Sequence, residues 1–473
     1  MHPHLTASES QGRGGTLLVS AVVAALGSFL FGFDTAVISG TTDALKSGFV
    51  AEIARQIRPL VPAVSETKVL EFMLGFTVAS ALIGTLFGAL LVGRPSDWWG
   101  RRPVLALLAV LFLASSFGCA FAWDWLSLVL FRWLGGVAVG GASVVSPMYI
   151  TEIAPARRRG VLVAVSQLNI VIGILAAYFS NYLVAWVLGA EHPEAWRWMF
   201  GVMAVPSMAF LLLVLFILES PRWLVKRARR EEAERVLARF GHEAPEREAA
   251  EIAESLQAEM RGGHQQLFQR KYLKPLLLAF MIAAFNQLDG INAIIYYTAD
   301  LFRMAGASKA SALLQSVIIG LTNLVMTLVA MALIDGVGRK TLLLVGSVTF
   351  VFSHALAAWV FYTHAQGWIV IAALMGIVGS HAYSQGAVVW VYINEILPNA
   401  IRASGSAVIC FTLWVLCAAV SWSFPVLAGI SASGTFVFFA LMMVLQFVLV
   451  LKYLPETKGR SLEELQRYLD IRE

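Results

Sequence analysis

Tyr149-Ile150-Thr151-Glu152-Ile153-Ala154-Pro155 returns later in the chain as Tyr392-Ile393-Asn394-Glu395-Ile396-Leu397-Pro398, 243 positions on (149 to 392). Asp97-Trp98-Trp99-Gly100-Arg101-Arg102 returns as Asp335-Gly336-Val337-Gly338-Arg339-Lys340, 238 positions on (97 to 335). Glu219 and Glu456 stand 237 positions apart. One Asp-x-x-Gly-Arg match arises easily by chance, but three pairs at nearly one offset mark an internal duplication.

Each copy is strongly apolar. Of the 473 residues 58% are hydrophobic and 14% charged, and the mean hydropathy is +0.73. Soluble domains are about 45–50% apolar and about 25% charged, so the excess here faces lipid. A helix needs about 20 apolar residues to cross a bilayer. Twelve segments qualify, at roughly 15–39, 69–93, 103–122, 125–150, 160–188, 197–218, 273–302, 309–334, 341–362, 368–396, 403–424 and 434–454. The expected fold is an all-α integral membrane protein, two six-helix repeats joined by a helical linker. The boundaries read as an N-terminal tail 1–14, a first bundle 15–218, an amphipathic linker 219–272, a second bundle 273–454 and a C-terminal tail 455–473. The N-terminus lacks the basic-then-apolar order of a cleaved signal peptide, so the stretch from Thr16 is read as a retained span.

Charge sets the expected orientation. One side's short connections hold Arg94, Arg101, Arg102, Arg157, Arg158, Arg159, Arg339, Lys340 and Arg402. The other side holds Lys46, Arg55, Arg58, Lys68, Arg197, Arg303 and Lys309. The tails and linker add further basic residues to the first side, and the positive-inside rule then places both termini and the linker in the cytoplasm. The net charge of +5 is dispersed among apolar runs, which argues against nucleic-acid binding. Cys119, Cys410 and Cys417 form neither a disulfide framework nor a zinc pattern. No GxxxxGK[ST] phosphate loop is present, so an ATP-driven pump or an enzyme is not indicated. No cofactor or metal is expected, and one chain should act as a monomer.

The repeated charges sit at the linker ends of the spans. Asp97, Arg101, Arg102, Glu152, Arg159, Glu219, Arg222, Asp335, Arg339, Glu395, Arg402 and Glu456 are expected to latch the cytoplasmic mouth through charge-assisted bonds that exist only while it is shut. Read singly, each could be a solvated turn residue that sets topology.

Amides inside spans suit a ligand whose hydroxyls both donate and accept. Candidates are Gln167, Asn286, Gln287, Asn292 and Asn323, with Phe31, Tyr296, Trp390 and Trp414 offering apolar faces. Asn286 and Gln287 can share a face with Asn292 only across a broad face or a helix break, which Gly290 could permit. Lone intramembrane amides more often tie helices together, and lone tryptophans more often anchor at the lipid interface. Asp34 and Arg132 lie within spans, where an ionised residue is costly and functional by default. Asp289 reads as solvated near the outer mouth rather than as a second proton site, and His354 and His381 as packing residues rather than a proton relay.

Taken together, Leu218-Glu219-Ser220-Pro221-Arg222-Trp223-Leu224, Gly100-Arg101-Arg102, Pro455-Glu456-Thr457-Lys458-Gly459, Gln287-Leu288-Asp289-Gly290-Ile291-Asn292 and Phe31 to Gly40 resemble the sugar porter family of the major facilitator superfamily. The resemblance runs from about Gly27 to Gly459 and implies the major facilitator fold. It implies monosaccharide or polyol transport, by proton symport or by facilitated diffusion. It also implies that the seventh helix is interrupted, that the positions of Gln287 and Asn292 line the sugar site, and that Asp34 faces Arg132 as the proton-coupling pair. Departures are Leu413, Cys417, Asn286 and Phe33, at positions where the family often has more polar or different residues. They imply a site less polar on its C-terminal side. The leading expectation is import of a hexose or pentose with a proton; a facilitator and a non-transporting sensor are the alternatives.

Overall fold

The computed structural model describes residues 7–155, 159–261, 267–398, 400–460 and 464–465. Among these residues there is no strand. Among the described residues eleven helices are long and apolar enough to cross a membrane. The last, Arg402–Tyr453, holds 52 residues and breaks helical geometry at Ser431 (φ −162°, ψ 105°). At 1.5 Å per residue such a helix is more than twice as long as the hydrocarbon core is thick. Ser431 therefore divides it into the eleventh and twelfth spans, and its Oγ accepts from Gly434 N at 3.0 Å to cap the twelfth. Twelve crossings form two six-helix repeats, as expected.

The first six spans are Ala7–Val37, Glu66–Leu91, Arg101–Ala120, Trp125–Ile153, Arg159–Leu188 and Ala195–Val214. The seventh comprises Leu273–Leu288 and Ile291–Tyr296, separated by Asp289 and Gly290. The eighth and ninth are Lys309–Val337 and Arg339–Thr363. The tenth comprises Trp368–Tyr383 and Gln385–Ile396, broken at Ser384.

Small residues let backbones meet without a hydrophobic drive between helices in lipid. A Cβ on Gly136 or Gly140 of the fourth span would fall 1.8 Å from Ala81 O or 2.0 Å from Thr85 O of the second. Between Val37 and Glu66 the chain forms short helices, Thr42–Leu45 and Ala51–Ile57.

The halves are sealed to one another at the end away from the linker. Tyr178 OH donates to Ile295 O at 2.8 Å, and Ala299 N donates to Ser39 Oγ at 3.0 Å. Trp422 Nε1 donates to Phe72 O at 3.2 Å. Asp43 pairs with Arg303 and lies 3.5 Å from Lys309.

The linker carries helices Pro221–Lys226, Arg230–Arg239 and Pro245–Arg261. It docks on the first half by burying Leu224, Ala233, Val236, Leu237 and Phe240. Trp223 Nε1 donates to Asp97 O at 3.0 Å, and His242 Nε2 meets Ile153 O at 3.1 Å.

Candidate functional site

Asp34 and Arg132 meet in the interior of the first half. Arg132 Nη1 donates to Asp34 Oδ1 at 2.9 Å, joining the first span to the fourth. Arg132 is 1% exposed and its guanidinium lies 5.7 Å from the Phe200 ring centre. A charge at the centre of a span costs about 2.5–3.5 kcal/mol on insertion scales. The pairing offsets that cost only while both partners stay ionised.

The seventh span shows how three amides reach one another. Gly290 takes φ +77°, open to glycine and strained for other residues. A Cβ there would also lie 2.7–2.9 Å from the Phe439 ring. The resulting break lets Asn292 Nδ2 donate to Gln287 Oε1 at 2.7 Å while Gln287 Nε2 donates to Asn286 Oδ1 at 2.8 Å. The amides thus form one polar strip across the break that Gly290 was expected to permit.

The remaining candidates are placed less uniformly. Phe31 packs on Trp414 with ring centres 5.7 Å apart, the first span against the eleventh. The indole N–H of Trp414 is buried without a partner among the described residues. Tyr296 is buried, with its hydroxyl beside Thr35, the residue after Asp34. Gln167 is half-buried on the fifth span, Asn323 is buried on the eighth, and Trp390 is 41% exposed on the tenth. Neither Gln167 nor Asn323 has a side-chain partner among the bonds of the described residues. Amide composition could also have flagged Gln385 and Gln446, which are bonded to each other between the tenth and twelfth spans. Both are buried, and Gln446 Nε2 donates on to Ser347 Oγ at 2.9 Å.

The repeated charges form two matching clusters. In the first half Arg101 grips Glu152 with Nε and Nη2 at 2.9 and 2.8 Å, and Nη1 reaches Asp97 at 3.3 Å. Glu219 accepts backbone N–H groups of Arg101, Arg102 and Ser220 at 2.9, 3.3 and 2.8 Å. Burial pushes the Glu219 carboxyl above its ordinary range, against the pull of those N–H groups. Arg102 also donates to Leu215 O. In the second half Arg339 Nη2 donates to Glu395 at 3.0 Å, and Glu456 accepts from the N–H groups of Arg339 and Lys340 at 2.9 and 3.0 Å. Arg402 Nε donates to Leu397 O at 3.3 Å, and Arg222 lies on the first linker helix. The side chains of Arg159 and Asp335 lie outside the described residues.

These bonds correct one expectation. They were to exist only with the linker-end mouth shut. Each bond named here instead stays within its own half, and the seal between halves lies at the opposite end. The reason is geometric: Glu219 and Glu456 cap the N-terminus of a helix in their own bundle, and Glu152 and Glu395 hold the arginine that opens that same helix, so these bonds survive separation of the halves.

Asp289 is a second correction. It is 0% exposed, not solvated. Its Oδ1 accepts from Ile291 N at 2.9 Å, and its Oδ2 accepts from His381 Nδ1 at 2.8 Å. His354 Nε2 donates to the Asp289 carbonyl oxygen at 3.0 Å. The signal available in the sequence was an acid and two histidines within apolar spans.

Comparison with known proteins agrees in sequence and in shape. A family profile described as sugar (and other) transporter matches residues 20–469. The D-xylose-proton symporter of Escherichia coli (strain K12) is 36% identical, over 94% of each chain. The arabinose-proton symporter of Bacillus subtilis (strain 168) is 34% identical, over 99% of this chain and 98% of that one. The inward open conformation of the xylose transporter XylE from E. coli superposes with a TM-score of 0.83 at 34% identity, over 96% of this chain and 99% of the other.

Proposed function

Because this chain belongs to the family of sugar (and other) transporters, we propose that it imports a monosaccharide together with a proton by alternating access. The observation that carries the reading is the Asp34–Arg132 pair, set one residue from the Thr35 that Tyr296 approaches. A proton site and a polar strip for sugar hydroxyls are thereby adjacent across the interface of the two halves.

The cycle follows from the charges. Ionised Asp34 is held by Arg132 and ties the first span to the fourth. A proton from outside neutralises Asp34 and opens the pair, which frees the first span to close over bound sugar. When the opposite mouth opens, the proton leaves to the cytoplasm and the pair forms again. The arrangement described here, with the pair formed and the outer end sealed, fits the stage after proton release. Gln167 and the Asn286–Gln287–Asn292 strip bond the hydroxyls; Asn323, Phe31, Tyr296, Trp390 and Trp414 complete the walls.

We place both termini and the linker in the cytoplasm, on the positive-inside distribution. The path lies between the halves of one chain, so a monomer suffices. Rigid motion of the two end clusters would open and close the inner mouth. D-xylose and arabinose are the first substrates to test, since relatives are named for them. Facilitated diffusion is less favoured, because it gives the buried Asp34–Arg132 pair no task. Uptake of labelled D-xylose, arabinose and glucose into proteoliposomes, with and without an inward proton gradient, tests the reading. Accumulation above the outside concentration only with the gradient supports it; equilibration at the same level in both cases returns the facilitator.

A further inference from the structure

In each half, a buried carboxylate on the first helix meets a basic side chain on the fourth. Asp34 pairs with Arg132 between the first and fourth spans. Asp289 pairs with His381 between the seventh and tenth, the first and fourth spans of the second half. The second pair also joins the two interrupted spans at their breaks. Asp289 and Gly290 separate Leu288 from Ile291, and His381 lies in the last turn before the break at Ser384.

We propose that Asp289–His381 is a second proton-binding site, which controls the break in the seventh span. Arginine does not release its proton in proteins, whereas histidine titrates near pH 6.5. When both ring nitrogens carry hydrogen, the pair has no net charge, whether the proton between Nδ1 and Oδ2 rests on the ring or on the carboxyl. One further proton leaves Asp289 neutral and His381 cationic, and the ion pair is lost. Nothing is oxidised or reduced: the proton comes from the water-filled path and returns to it when the pair reforms. The route is through His381, 17% exposed on its side chain, since Asp289 is fully enclosed.

The surroundings leave this pair as the responsive element. His354 of the ninth span gives its Nε2 hydrogen to the Asp289 carbonyl and stacks on Phe350, and its buried Nδ1 has no partner among the described residues. The eleventh span presents Cys417, and the twelfth presents Phe439. Tyr383 lies beside the break on the tenth span, bonded to Thr349, and the first span contributes Asp34 beyond Tyr296. Among the described residues no lysine or arginine forms an ion pair with Asp289. Protonation also weakens the cap that Oδ1 places on Ile291 N, so helix Ile291–Tyr296 loosens at its start.

Hydrogen–deuterium exchange of the full chain in nanodiscs tests this without sugar. After correction for intrinsic rates, amides of residues 291–297 should open at least about ten-fold more at pH 5.5 than at pH 8, since breaking a buried pair is strongly destabilising. The step should persist in Asp34→Asn and vanish in Asp289→Asn and in His381→Gln. Flat protection in the wild type, a step lost in Asp34→Asn, or a step surviving both second-half variants overturns the proposal. A poorly folded Asp289→Asn leaves His381→Gln, which keeps a hydrogen-bonding side chain, and the first two outcomes to decide. Because transport is not measured, failure of proton-coupled uptake leaves this outcome unaffected.

Discussion

Glu219 and Glu456 hold equivalent places in the two halves. Each accepts the backbone N–H of the arginine that opens a helix, Arg101 or Arg339, at 2.9 Å. Before each arginine stands a glycine at positive φ, Gly100 at +103° and Gly338 at +99°. A Cβ on either would meet the glutamate carboxylate at 2.3 or 2.8 Å. The sequence duplication thus extends to individual hydrogen bonds.

Glu219 gives a pH test. Burial raises its carboxyl above the ordinary range, so the folded state holds a proton to higher pH than the unfolded chain does. Stability therefore falls as pH rises from about 4.3, the unfolded value, and levels off above the folded one. Glu219→Gln keeps an accepting oxygen without the charge and lacks this fall. The Tm difference between wild type and Glu219→Gln, followed from pH 4 to 8, checks it; a constant difference refutes it.

The end clusters predict a split between binding and turnover. Glu152→Gln weakens the two-point grip of Arg101, and Glu395→Gln does the same to Arg339. Each variant should bind sugar within a few-fold of wild type yet move it at least about ten-fold more slowly, because each bundle end loses rigidity. Equilibrium binding measured beside initial uptake rates decides this. Unchanged uptake would leave these residues as topology charges.

Much of this was legible in the sequence for definite physical reasons. Span count follows from apolar length, and the repeat from spaced motifs. The break in the seventh span is what the family resemblance implies; the residues alone leave a broad face or a break at Gly290 as the ways for Asn286, Gln287 and Asn292 to meet. Two things were not legible. Hydropathy cannot tell a capped, enclosed Asp289 from a solvated one, since its partner His381 is 92 positions away. Nor does a motif reveal whether its charges bond within a half or across the interface.

Substitution in the amide strip should weaken binding. Gln287→Ala removes both bonds that hold Asn286 and Asn292 in line. A buried bond lost costs about 1–3 kcal/mol, so sugar affinity should fall roughly ten-fold or more, and Gln167→Ala should do likewise. Calorimetry on folded variants checks this; wild-type affinity in both removes these residues from the site.

Gly290→Ala should be severe for its size. Left-handed backbone costs a non-glycine residue about 1–2 kcal/mol, and the new methyl meets Phe439. A lower Tm and lost transport are expected. A companion Phe439→Ala should restore part of the Tm by clearing the clash; no recovery would assign the whole effect to the backbone.

The central claim is that Asp34 carries the transported proton. Proton influx on sugar addition, recorded in proteoliposomes with a trapped pH-sensitive dye, tests it most directly. Wild type should acidify the lumen when sugar is added. Asp34→Asn should show no acidification while still exchanging labelled for unlabelled sugar, because exchange needs no net proton movement and deletion of one ligand's site deletes the link between the two. Sugar-dependent acidification persisting in Asp34→Asn, or absent from a wild type that transports, would contradict the claim.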